Sequence, residues 1–323
     1  MTIAPEFSID VRVPASTANL GAGFDCLGLA LELYLNARAT VVFGPGARDT
    51  ARSRGVQGSS ELPTSPEENL IFRAMRHTAN REDLQIPPVR LAVQNEIPMA
   101  SGLGSSAAAT VAGVVLAFAL ARRSVPRETA LQYAAEVEGH TDNVAASLLG
   151  GLAVTVTRAD GSVIGVQKRW PKMIRVVAVT PAFALETKKS RAVLPKMTPQ
   201  ADAVYNLQRS TLLLAALEER RYDLLWDALQ DRLHQQYRQE LIPGLEDILA
   251  MPRMPGLLGI ALSGAGPSVV ALATDRFREI GREIASRFER HGLAATFQTL
   301  EVAHEGFSTS EKHLRRRRLA ASG

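Results

Sequence analysis

The order of the periodic segments predicts an α+β protein, because strand-like and helix-like stretches mix without the strict alternation of a doubly wound sheet. A chain of 323 residues, 46% of them hydrophobic, is long enough for one large core or two modest ones. An apolar β-hairpin near residues 152–167 closes one block and a fresh strand near Ile174 opens another. We therefore expect a first domain over residues 1–170, a second over 171–304, and a disordered basic tail over 305–323.

Taken in order, Ile9 to Val13 alternates apolar and charged residues as a strand does, and a loop rich in small polar groups follows from Pro14 to Gly28. Leu29, Leu31 and Leu33, then Ala37 to Phe43, predict one or two further strands. The Gly-, Ser- and Arg-rich stretch from Gly44 to Pro63 reads as a mobile loop. Ser65-Pro66-Glu67-Glu68 has the pattern of a helix start, with Ser65 as cap and Glu68 closing a capping box. Val89, Leu91 and Val93 alternate in a strand that leads into a Gly/Ser turn and a long apolar helix. A second helix opens at Pro126 and stops at Glu138-Gly139, followed by the polar knot Gly139 to Asn143 and a short helix over Val144 to Leu149. In the second block, Ala201 to Arg220 and Tyr222 to His234 follow helical periods. Leu257 to Ser263 and Ser268 to Thr274 read as strands, Phe277 to His291 as a helix, and Ala294 to Val302 as a last strand.

The pI of 9.4 invites a nucleic-acid reading, but the excess is local. Lys312 and Arg315 to Arg318 set against Glu305 and Glu311 leave three of the four net positive charges in the tail. The body is near neutral, so no nucleic-acid partner is expected, and removal of residues 311–323 is expected to leave activity intact. Met1 to Asp10 has no apolar signal core and no apolar run spans a bilayer, so a cytoplasmic protein without membrane contact is expected. Cys26 is the single cysteine, which excludes an intramolecular disulfide and suits a packing role.

The chemistry concentrates in Pro98-Met99-Ala100-Ser101-Gly102-Leu103-Gly104-Ser105-Ser106, between strand and long helix. Glycines at 102 and 104 let backbone N–H groups approach an anion, and the positive end of the helix faces the same loop. As an isolated glycine pair, the turn would merely cap a buried helix. There is no G-x-x-x-x-G-K-[ST] pattern and no lysine in this loop, so main-chain amides and hydroxyls must hold a phosphate group. Ser106 or Ser105 with Glu138 offers hard oxygens for Mg²⁺, while Glu136, two residues from Glu138, points to another helix face. Histidines 77, 234, 291, 304 and 313 lack metal-ligand spacing and read as structural.

Two further stretches accompany this loop: Val13-Pro14-Ala15-Ser16-Thr17-Ala18-Asn19-Leu20-Gly21-Ala22-Gly23-Phe24-Asp25, and Leu262-Ser263-Gly264-Ala265-Gly266-Pro267-Ser268. The three together resemble the GHMP kinase superfamily, named for galactokinase, homoserine kinase, mevalonate kinase and phosphomevalonate kinase. The first motif with Glu138-Gly139-His140-Thr141-Asp142-Asn143 is most similar to the homoserine kinases. This resemblance implies a GHMP-kinase-like two-domain fold, ribosomal-protein-S5-like in its N-terminal half and ferredoxin-like in its C-terminal half. It also implies ATP and Mg²⁺, transfer of phosphate to the side-chain hydroxyl of L-homoserine for threonine synthesis, and a homodimer.

By the same resemblance, Pro98 to Ser106 without Met99 line the nucleotide site, Asn69 lies toward the adenine, and Gly264 and Gly266 lean on the phosphate loop. Ser106 and Glu138 bind the metal. Thr187, Arg191 and Arg238 meet the substrate carboxylate side, with Arg232 as the fallback because Gln236-Tyr237-Arg238 departs from the family wording. Asp25 meets the ammonium, and Asn19, His140 and Asn143 the hydroxyl end. Siblings carry a Lys or Arg and an Asp where this chain has Ser16 and Asn143, so the resemblance implies catalysis without a dedicated base, Asp142 being the rival candidate. A sibling kinase acting on another alcohol, or a nucleotide-binding module without catalysis, would carry many of the same motifs.

Overall fold

The computed structural model describes residues 7–55 and 62–313. The chain opens with strands β1 (Phe7–Ala18), β2 (Leu27–Val41) and β3 (Thr50–Gly55), helix α1 (Leu70–Glu82), strand β4 (Val89–Asn95), and helices α2 (Ser105–Leu120), α3 (Arg127–Glu138) and α4 (Asp142–Leu149). The hairpin β5 (Leu152–Thr157) and β6 (Val163–Lys168) completes this half. Then follow β7 (Arg175–Pro181), α5 (Thr187–Ala192), α6 (Gln200–Glu218), the short helices α7 (Leu225–Ala228), α8 (Gln235–Arg238) and α9 (Leu245–Leu249), β8 (Leu257–Leu262), β9 (Val269–Ala273), α10 (Phe277–Arg290), β10 (Ala295–Leu300) and β11 (Ser308–His313).

Among the described residues, seven strands form the first sheet. Its main path is β11-β1-β2-β4-β3, and β5 pairs with the N-terminal end of β2 and carries β6. The second sheet is antiparallel in the order β10-β7-β9-β8, a β-α-β-β-α-β arrangement of ferredoxin-like type. α2 is apolar around its whole circumference because it runs through the middle of the first half, against β1, α1, α3 and α4. Val114, Val115 and Phe118 leave water almost entirely, each contributing about 1.5–3 kcal/mol. A helix so deeply seated cannot shift its first turn, which fixes the loop in front of it. Among the described residues, no helix is long and apolar enough to cross a membrane.

Several expectations need correction. The strand expected at Ile9–Val13 continues to Ala18, with a bulge between Pro14 and Ala15 that absorbs the proline, so the loop is confined to residues 19–26. The supposed mobile stretch from Gly44 contains β3, parallel to β4, and its residues 56–61 lie outside the described ones. α1 begins after Asn69, not at Ser65: the Asn69 side chain accepts from the Ile71 amide and donates to the Pro63 carbonyl. Tyr222 to His234 is not one helix but a 3₁₀ turn, α7 and a tight turn capped by Asp231.

The tail is the largest revision. Ser308–His313 forms β11, antiparallel to β1, and returns the chain to the first sheet; Arg315 to Arg318 lie outside the described residues. Lys312 pairs with Asp10 at 2.8 Å and Glu311 with Arg122 at 3.3 Å. A cut at residue 311 therefore removes half a strand. Deleting residues 314–323 should leave the thermal midpoint unchanged, whereas deleting 308–323 should cost about 1–2 kcal/mol, lowering it by roughly 2–6 °C. Equal midpoints for the two truncations would show that β11 stabilises nothing.

Candidate active site

The loop after β4 is held before it can hold anything else. The Asn95 side chain donates to the Ile97 carbonyl at 2.9 Å and to Ser105 Oγ at 3.3 Å, tying strand end to helix start. Gly102 and Gly104 both have positive φ, 85° and 74°. A Cβ on Gly104 would lie 2.1 Å from Ser16 Oγ, and one on Gly102 2.3 Å from the Ser263 carbonyl oxygen, so no other residue fits either place. No side chain caps α2, whose first residues Ser105 and Ser106 line the same pocket as Gly102 and Gly104. The first amides of α2 are thus left without a side-chain cap at the edge of the cavity, the situation in which a helix start suits an anion.

Across the pocket, Glu138 ends α3 immediately before Gly139, whose left-handed conformation terminates the helix. Glu138 Oε2 accepts from Ser106 Oγ at 2.9 Å and from Thr110 Oγ1 at 3.0 Å. Ser105 instead is buried beside Asn95. Glu136 faces away, bonded to His77 at 2.8 Å and to Gln132; burial raises its pKa, but those hydrogen bonds and Arg81 outweigh this and hold it low. Helix phase thus separates the two glutamates as the sequence led us to expect. Thr110 was missed, although it lies four residues from Ser106 on the same helix face.

The polar knot forms the floor. Ser16 Oγ donates to Asn143 Oδ1 at 3.0 Å, bringing together the two positions where sibling kinases are expected to differ. Asp142 is buried, and its Oδ1 accepts from the Asn143 amide at 2.7 Å and lies 3.2 Å from His140 Nδ1. Glu138 lies 3.7 Å from the other ring nitrogen. Burial alone would lower the His140 pKa, but the hydrogen bond and charge of Asp142, with the charge of Glu138, outweigh it and the pKa is raised. Asn19, in the left-handed region at φ 73°, spends its amide on the Gly264 carbonyl and the Asp25 backbone N–H. It lines the pocket as a brace between motifs.

The far wall carries the guanidinium groups. Arg191 pairs bidentately with Asp25 at 2.7 and 3.0 Å, a bond that raises the arginine pKa. Arg238 is buried and donates to the Ser190 and Gly264 carbonyls and to His234. Burial, then the charge of Arg191, lowers its pKa to about 10. Arg232 is solvent-facing and bonded to Asp202, so it is no substitute for Arg238. Phe24, also unforeseen, lies under both arginines, 5.8 Å from Arg191 and 5.6 Å from Arg238. Thr187 and Gly264 line the pocket; Gly266 sits behind it, and Asn69 is buried outside it.

The turn from Ser263 to Ser268 joins these parts. Ser263 Oγ lies 2.7 Å from the Gly102 carbonyl, to which it donates, and 2.8 Å from Thr17 Oγ1; the Ser268 amide donates to the Ser101 carbonyl. Thus the motifs at residues 13–25, 98–106, 138–143 and 262–268 converge on one cavity.

Comparison with known proteins gives this arrangement its family. The models for the GHMP kinases N terminal domain and the GHMP kinases C terminal domain match residues 69–151 and 213–290. The chain is 35% identical to a homoserine kinase of Saccharomyces cerevisiae, covering 94% of this chain and 98% of that one. It is 44% identical to one of Deinococcus radiodurans, covering 84% and 87%. The crystal structure of homoserine kinase from Cytophaga hutchinsonii superposes with a TM-score of 0.82 at 27% identity, covering 96% of this chain and 99% of that one. Galactokinase of Lactococcus lactis, at 17% identity and a TM-score of 0.70, shares the fold. With an uncapped helix start, a Ser–Glu pair and an arginine wall in one cavity, and with these relatives along nearly its whole length, the chain belongs to the homoserine kinases of the GHMP kinase superfamily.

Proposed function

We propose that the protein transfers the γ-phosphoryl group of ATP to the side-chain hydroxyl of L-homoserine, giving O-phospho-L-homoserine and ADP for threonine synthesis. The observation that carries this reading is that the uncapped start of α2 and the residues Arg191 and Arg238 line one pocket. One end suits a triphosphate and the other the carboxylate of an amino acid.

The residues fit Mg²⁺. Ser106 and Glu138 present hard oxygens within 2.9 Å of each other beside the phosphate loop, and Mg²⁺ needs only one or two protein ligands when phosphates and water supply the rest. When bound there, the ion neutralises charge on the transferring phosphate. On the acceptor side, Asp142 is engaged by His140 and Asn143, and Asn143 by Ser16. These contacts at Asp142 Oδ1 favour a site that works by positioning the hydroxyl and stabilising charge, with Asp142 as the rival base. Asp25 takes the ammonium of homoserine and Arg191 with Arg238 its carboxylate, so the zwitterion replaces each partner of the Asp25–Arg191 pair as it separates them. The reading divides the chain between β6 and β7 into domains 1–170 and 171–304, and on the resemblance alone it makes the enzyme a cytoplasmic homodimer.

An ADP-release assay across homoserine, mevalonate and galactose should give the highest kcat/KM with homoserine; a better sibling substrate would end this assignment. Glu138→Ala should lower kcat by about 10²-fold or more with little change in homoserine KM, a loss of transition-state stabilisation. Arg191→Ala should raise homoserine KM by about 10–100-fold with kcat nearly kept, and an unchanged KM would remove Arg191 from the carboxylate site. Because the folded pKa of His140 is raised, its contribution to stability is fully present below its unfolded value of about 6.5 and fades as pH rises through the folded pKa. Metal-free wild type should thus melt above His140→Gln at low pH, with the gap narrowing toward alkaline pH. A gap that widens with pH contradicts the Asp142–His140 pairing.

A further inference from the structure

The two arginines of the pocket are in different electrical states. Arg191 is neutralised by the Asp25 carboxylate at 2.7 and 3.0 Å. Arg238, more deeply buried, has no carboxylate within ion-pair distance among the described residues. All three of its hydrogen bonds go to neutral acceptors: Nε to the Ser190 carbonyl at 3.2 Å, and Nη1 to the Gly264 carbonyl at 2.9 Å and to His234 Nδ1 at 3.1 Å. A buried guanidinium ordinarily draws a carboxylate partner. Here the position of that partner is filled by an imidazole.

The protonation state of that imidazole follows from its neighbours. His234 is fully buried, and its Nε2 lies 2.9 Å from the Gly21 carbonyl oxygen, which can only accept. Nε2 therefore carries the hydrogen. Arginine can only donate, so Nδ1 must present its lone pair to Nη1. The ring is held flat by stacking on Phe24, centroids 5.1 Å apart and planes 22° apart. Asp231 lies 3.7 Å from Nε2, but its oxygens are taken by the amides of Leu233, His234 and Gln235 and by the Asn206 side chain. The two ring hydrogen bonds thus specify a neutral ring, and burial pushes its pKa down, outweighing the opposing charge of Asp231.

We propose that His234 is a positioning residue for recognition of the substrate carboxylate: a neutral acceptor that aims the Arg238 guanidinium while leaving its charge for the ligand. A glutamate at this position would orient the arginine equally well and cancel it, as Asp25 does to Arg191. The inference rests on the reading of Arg238 as a carboxylate-binding group.

The test is steady-state kinetics of the full-length enzyme with MgATP and homoserine, with thermal melting to confirm folding. His234→Gln, whose amide can donate to Gly21 and accept from Arg238, should stay within about threefold of wild type in every parameter. His234→Glu should raise homoserine KM by about 10–100-fold while kcat and the KM for ATP hold; His234→Leu, which removes the acceptor without adding charge, should show the same split and serves if the glutamate variant does not fold. An unchanged homoserine KM in the folded Glu or Leu variant overturns the proposal, as does a parallel loss in kcat, homoserine KM and ATP KM. Arg238→Ala separates the two levels. If it leaves homoserine KM unchanged, the reading of Arg238 is wrong; if it raises KM while neither His234→Glu nor His234→Leu does, only the role of His234 falls.

Discussion

The structure depends on a close approach of backbones. The Ser263 turn, the Gly102 loop and the end of β1 meet where Ser263 Oγ bonds the Gly102 carbonyl and contacts Thr17 Oγ1, and no side chain fits at position 102. These segments lie 161 and 246 residues from Ser263 in the chain, so the site exists only when both sheets are formed. The deeply buried α2 supplies a fixed helix start, and the turn from the second sheet keeps the loop pressed against it. On the proposed function, main-chain amides take the place that a lysine has in other phosphate loops, and that role requires such rigidity.

Most charges in the cavity have a charged or hydroxyl partner of their own. Glu138 is met by two hydroxyls, His140 lies between two acids, and Arg191 binds Asp25. Among the described residues of the cavity, Arg238 is the cation surrounded by neutral acceptors. A ligand carrying both a carboxylate and an ammonium can compensate every charge it disturbs, whereas a neutral sugar or a hydroxy acid would leave at least one buried or half-buried charge unpaired. Selectivity in this account comes from the arrangement of charge in the pocket as much as from its shape.

How far the sequence alone reaches follows from how local each signal is. The Gly102–Ser106 loop, the end of α3 at Glu138 and the outward turn of Glu136 were legible because glycine spacing and helix phase act over a few residues. β3 and β11 were not, since Thr-Ala-Arg-Ser-Arg-Gly and Ser-Thr-Ser-Glu-Lys-His show no apolar alternation; both are edge strands that exist because a neighbour offers hydrogen bonds. Two adequate helix caps stood four residues apart, and burial chose Asn69 over Ser65. The Asp25–Arg191 pair spans 166 residues, and nothing in local spacing announces it. His234 read as structural, and the structure places its ring against a pocket arginine through the i, i+4 geometry of a single turn.

The most direct measurement is a crystal structure of the enzyme with a non-hydrolysable ATP analogue, Mg²⁺ and homoserine. This account predicts the β- and γ-phosphates against the amides of Gly102 to Ser106, the metal between Ser106 and Glu138, and the homoserine carboxylate on Arg238 with Asp25 released from Arg191. A triphosphate lodged away from the start of α2, or an amino acid bound with the Asp25–Arg191 pair intact, would contradict it.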